Sequence, residues 1–79
     1  MKDKRLEKSV GKLADRFMEL RLQQGLSHEK LGQKAGLHWT TIGIIERKKR
    51  TPSVLTCMKI SHALGVRLAD LLSELEPDA

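Results

Sequence analysis

The chain has 79 residues, enough for one compact domain and too few for two. With 39% hydrophobic and 32% charged residues it has the composition of a folded domain, which excludes a disordered tail. A net charge of +5 and a pI near 9.7 point to a polyanionic partner, either nucleic acid or an anionic membrane surface.

That charge is unevenly placed. Residues 1–52 hold 13 Lys or Arg against 6 Asp or Glu, whereas residues 53–79 hold 2 against 4. Only the first two-thirds is built to meet an anion, with a solvated lysine face as the alternative that charge alone leaves open. The aromatic residues are Phe17 and Trp39, so Leu and Ile must build the core, which favours helices over strands. Cys57 is the sole cysteine, which precludes an internal disulfide and fits a reducing, cytoplasmic compartment. No apolar run approaches membrane-spanning length, and the N-terminus lacks the apolar core of a signal peptide.

In chain order, residues 1–5 form a polar lead-in without pattern, expected to be frayed or disordered. Apolar residues at Leu6, Val10, Leu13, Phe17 and Leu20 then mark one face of a first helix that Gly25 ends. Gly11 weakens its first turns by about 1 kcal/mol relative to alanine. Ser27 is an N-cap for a second helix with Glu29 in its first turn, Leu31 and Ala35 along its apolar edge, and Gly36 as its stop. A third helix starts around His38 to Thr40 and runs to about Lys48, with Ile42 and Ile45 inward. Thr51-Pro52-Ser53 sets up a fourth helix whose inner face is Leu55, Met58, Ile60 and Leu64, terminated by Gly65. A fifth carries Leu68, Leu71, Leu72 and Leu75 before Pro77 closes the fold. The fold class is all-α, with one five-helix domain over residues 6–76 and a tail at 77–79.

The informative segment runs from Ser27 to Glu46. Two short helices joined by a tight glycine turn cross at roughly 90–120° and bury a shared seam. Leu31, Ala35, Leu37, Ile42 and Ile45 supply that seam, Gly32 is small at the closest approach, and Gly36 permits the positive φ of the turn. Arg21-Leu-Gln-Gln-Gly-Leu-Ser-His-Glu-Lys-Leu31, Ile44-Ile-Glu-Arg47, Arg50-Thr-Pro-Ser53 and His62-Ala-Leu-Gly-Val66 together resemble the Cro and repressor (Xre-type) helix-turn-helix regulators, over roughly residues 13 to 73. The fold this implies is the lambda-repressor-like domain, with the helix-turn-helix at about 27–48. In length and organisation the chain also looks like the controller proteins of restriction-modification systems, a form shared by small phage repressors and antitoxins.

The resemblance implies duplex DNA as partner, with the third helix in the major groove. Carried onto this chain, the base-reading positions are Trp39, Thr40, Thr41, Gly43 and Ile44. The threonines can bond base edges, Ile44 can meet a thymine methyl, and Gly43 would let the backbone come close. Trp39 lies away from the inward isoleucines, although a tryptophan at a helix start is more often core. His28, His38, Arg47, Lys48, Lys49 and Arg50 are the phosphate-contacting candidates, the first at a helix start where backbone N–H groups favour an anion. His28 as a solvent-exposed histidine, and the basic run as a solvated one, are the bland alternatives. Family members often have glycine where Lys48 stands, and lysine resists positive φ. In the family, residues matching Arg21 and Glu46 form a structural ion pair.

Enzyme chemistry has little support: no glycine-rich phosphate loop and no nucleophile elbow are present. His28, His38, Cys57 and His62 fit no common zinc spacing, so no metal or other cofactor is expected; Cys57 reads as core and His62 as surface. One short recognition helix reads few base pairs, so a homodimer on an inverted-repeat operator is the expected form. Leu68, Leu71, Leu72 and Leu75 are its candidate interface, unless all four close the monomer's core. A protein-interaction module, of antitoxin or regulator-inhibitor type, is the alternative use of the fold.

Overall fold

Five α-helices and their turns make up residues 4–75, the part of the chain that the computed structural model describes. They are α1 (Lys4–Gln23), α2 (His28–Ala35), α3 (Trp39–Glu46), α4 (Val54–Ala63) and α5 (Leu68–Leu75). The expected tail at 77–79, the stop at Pro77 and the first three residues of the expected lead-in lie outside the described residues.

Leu13, Phe17 and Leu20 of α1 fall at helical spacing and are buried with Leu31, Ile42, Ile45, Cys57, Ile60, Leu64 and Leu71 in one core. Phe17, the larger share of the chain's aromatic bulk inside, is 2% exposed. Helices α2 and α3 pack on one another, α2 also meets α4, and α1 spans the bundle to touch both α3 and α5. Two polar ties fix the ends of α1. Gln24 Nε2 donates to the Leu64 carbonyl at 2.8 Å, and Ser9 Oγ donates to the Leu75 carbonyl at 2.8 Å.

Three expectations need correction. Helix α1 starts at Lys4, so Lys4 and Arg5 are helical rather than lead-in. Leu6 and Val10 are exposed, because a 20-residue helix is about 30 Å long and outruns the bundle's core, whose first buried α1 residue is Leu13. In α4, Leu55 and Met58 are also exposed. Met58 and Ile60 are two residues apart, about 200° around a helix, so they cannot share a face. The inward stripe is instead Cys57, Ile60, Ser61 and Leu64. Ser61 can be buried because its hydroxyl donates to the Cys57 carbonyl at 2.9 Å.

Candidate nucleic-acid interface

The α2–α3 unit is set by its caps. Ser27 accepts from the Lys30 amide at 3.1 Å and starts α2. Gly36 at φ 70° stops it, and the Leu37 amide returns to the Gly32 carbonyl at 2.9 Å. The helices cross tightly here: a Cβ on Gly32 would lie 2.6 Å from the Leu37 carbonyl oxygen and 3.3 Å from the Trp39 nitrogen. His38 caps α3, its Nδ1 accepting from the Thr40 amide at 3.3 Å and lying 2.8 Å from the Thr40 hydroxyl.

With Ile42 and Ile45 inward, α3 turns Thr40, Ile44 and Arg47 outward along one stripe, at positions i, i+4 and i+7. Trp39 flanks this stripe with 50% of its surface exposed and a tilted ring contact to His38. Thr41 is half-buried on the other flank. Together with Ile44, Thr51, Ser53 and Thr56 it lines a shallow cleft of about 240 Å³ at the start of α4. Gly43 departs from its expected place. It is buried, and a Cβ there would meet Arg47 Nη1 at 3.1 Å and the His28 ring at 3.7 Å. Its smallness leaves room for the Arg47 and His28 side chains that lie over it.

The stripe is held from behind. Arg21 bonds Glu46 through two nitrogens, Nε to Oε2 at 2.7 Å and Nη2 to Oε1 at 3.0 Å, while its Nη1 donates to the Leu26 carbonyl at 2.8 Å. The Glu46 side chain is 6% exposed and also meets His28 Nε2 at 3.0 Å. Burial alone pushes its carboxyl up, but the hydrogen bonds and charges of Arg21 and His28 outweigh burial and hold it below the usual carboxylate range. The ion pair therefore ties α1 to the end of α3, and His28 extends it to the start of α2. The family resemblance carried Arg21 and Glu46. The His28 bond escaped sequence reasoning, since nothing in the spacing of residues 28 and 46 announces a contact across two helices.

The basic run divides. Lys48 takes φ 60°, the left-handed turn where glycine is usual, and its ammonium pairs with Asp15 on α1 at 3.0 Å. It faces α1 rather than open solvent beside α3. Lys49 and Arg50 are exposed beyond it. On α5, Leu71 is buried and Leu68, Leu72 and Leu75 pack half-buried against the core, so this helix closes the monomer and Leu71 is not available to a partner. The large apolar side chains left outside near the α3–α4 turn are Val54, Leu55 and Met58. Cys57 is buried and burial pushes its thiol up; His62 is exposed. Among the described residues no three His, Cys, Asp or Glu side chains gather as a metal site, and no helix is long and apolar enough to cross a membrane.

Two short helices crossing at a glycine turn, with a solvent-facing stripe on the second and cations past its end, define a helix-turn-helix domain. The chain belongs to that family, whose match covers residues 17–71. It is 38% identical over 64 residues to the HTH-type transcriptional regulator PuuR of Escherichia coli (strain K12), covering 80% of this chain but 35% of that protein. The chain thus spans about a third of PuuR's length. It is 36% identical over 61 residues to the control protein C.SmaI of Serratia marcescens, covering 77% of this chain and 73% of that one. To the control protein C.BamHI of Bacillus amyloliquefaciens it is 46% identical over 55 residues, covering 68% of each. No solved structure gives a significant match. The Xre-type resemblance and the five-helix fold are both borne out, and the family is one of DNA-binding transcriptional regulators, not of enzymes.

Proposed function

We propose that this protein is a cytoplasmic, homodimeric regulator of transcription that reads an inverted-repeat operator with α3. The observation that carries the reading is the outward stripe of Thr40, Ile44 and Arg47 on a helix pinned from behind by Arg21 and Glu46. Thr40 and Thr41 offer hydroxyls to base edges, and Ile44 offers only apolar contact, which suits a thymine methyl. Trp39 packs on a thymine or on the sugar-phosphate backbone. His28, His38, Arg47, Lys49 and Arg50 meet phosphates. Lys48 joins them only by leaving Asp15, an exchange of one anion for another across an exposed pair of small net worth. Likeness to two control proteins supports a controller-type role for this chain.

The second copy seats on α4 rather than α5. Val54, Leu55 and Met58 form an exposed apolar face at the helix start, close to the α3–α4 turn, where a two-fold partner would hold two α3 helices about 34 Å apart. Leu55 is 61% exposed, so Leu55→Glu leaves the monomer's core intact. Sedimentation should show a dimer for the wild type and a monomer for this variant, with unchanged helical content and weakened operator binding. A dimeric Leu55→Glu protein would place the interface elsewhere.

A further inference from the structure

The first turns of α1 and the α3–α4 turn enclose an apolar groove of about 510 Å³. Leu6, Val10, Ala14 and Ile45 form its floor, and Thr51 and Pro52 its far wall. Leu6 and Val10 are 52% and 38% exposed, an apolar stripe one turn long that none of the described residues covers. The rim is strongly basic. Lys48 and Arg50 stand on the turn side, and Lys4, Lys8 and Lys12 line the adjoining depression along α1. Against these five cations stand Glu7 and Asp15, and Asp15 is already paired with Lys48.

We infer that this groove docks an acidic amphipathic helix of a partner protein. A helix presents large apolar side chains at i, i+3 or i+4, and i+7, the pattern that fills an elongated apolar groove. Carboxylates flanking that stripe would face the surplus cations, which steer encounter and fix register. Duplex DNA does not suit the floor, since the cations of the rim could meet phosphates but Leu6 and Val10 beneath them offer a polyanion no donor. A second copy of this chain suits it poorly as well. The exposed apolar face on α4 carries Lys59 and no acidic residue, so cation would meet cation. The inference stands apart from the α4 dimer face and needs no operator.

The test uses the full chain and a fluorescein-labelled helical peptide of leucines on one stripe with glutamates beside them, read by anisotropy at low salt. A control peptide has lysine for every glutamate. Val10→Glu removes floor and adds repulsion at an exposed position, and Leu55→Glu alters the other apolar face; thermal melts confirm that both fold. The wild type should bind the acidic peptide at least about tenfold more tightly than the basic one, Val10→Glu should lose about tenfold or more, and Leu55→Glu should match the wild type. Absence of binding by the wild type, equal binding of the two peptides, or undiminished binding by Val10→Glu would overturn the inference. So would a change of oligomeric state in Val10→Glu, which would make the groove a contact between copies.

Discussion

Lys48 holds a left-handed backbone conformation that costs a side-chain-bearing residue about 1–2 kcal/mol, and it keeps that conformation because the ladder from α3 runs through it. Its amide reaches the Ile45 carbonyl at 2.9 Å and the Lys49 amide the Ile44 carbonyl at 3.1 Å, the pattern that closes a helix end. The lysine also gains a partner in Asp15, but both are half exposed and the pair contributes little. Comparing Lys48→Gly with Lys48→Ala separates the two effects, since both lose the ion pair and only glycine relieves φ. The glycine variant should be more stable by about 1 kcal/mol in denaturant titrations; equal stabilities would contradict a strained turn.

Glu46 makes the opposite kind of statement. Its carboxyl is held below the usual range, so the fold gains from its ionised form. That gain is fully present above the unfolded-state value and is lost as pH falls through the lower value in the fold. Glu46→Gln should therefore be less stable than wild type at pH 7, by an amount on the order of 3 kcal/mol, with the gap narrowing below the ordinary carboxylate range. A gap that stays constant down to pH 3 would show that packing, not charge, makes the difference. Residue identity alone revealed the Arg21–Glu46 pair through resemblance, yet hid what lies on Gly43. Glycine on an outward-looking helix position reads as room for a ligand, but its neighbours are His28 across the crossing and Arg47 one turn along at the end of the same helix.

At the level of elements, the serine caps and the glycine stop were legible because their chemistry is local. Ser27 and Ser53 each receive an amide from their own first turn, and Gly36 adopts the positive φ its place requires. The cap on α3 was not, because His38 reads as a cation for phosphate rather than as an acceptor for the Thr40 amide. The stripes were less legible. In α4 the sequence offers two sets of large apolar residues on different faces, and the buried one is completed by small Cys57 and Ser61, which hydropathy undervalues. In α1 the periodic face continues past the end of the bundle, so Leu6 and Val10 share a pattern with Leu13 and Phe17 without sharing their burial. The crossing of α2 and α3 supplies the sharpest test at this scale. Gly32→Ala would push a methyl into the backbone of Leu37 and Trp39, which cannot swing aside as a side chain would. It should cost about 1–3 kcal/mol in urea unfolding and disturb the register of α3; a variant as stable as wild type would mean the crossing yields easily.

For the whole molecule, charge asymmetry and length pointed to one basic domain, and the helix-turn-helix family match covers residues 17–71 of it. Of the α5 leucines, Leu71 is buried in the core while Leu68, Leu72 and Leu75 pack half-buried against it, the core-closing alternative that the sequence leaves open. A 79-residue chain can bury only about 60% of its surface, and with so little core its last helix is needed to close it. The central claim, that α3 reads duplex sequence, is tested most directly by selecting duplexes from a random pool at near-physiological salt. The winner is then titrated against wild type and Thr40→Ala while Trp39 fluorescence is followed. The account predicts an inverted repeat with one-turn spacing, a fluorescence change on binding, and a loss of about 1–3 kcal/mol for Thr40→Ala on the selected site. With six to ten phosphate contacts, affinity should also fall about 10³–10⁵-fold between 50 and 200 mM salt. No enrichment, with weak and sequence-blind binding that Thr40→Ala leaves unchanged, would contradict it.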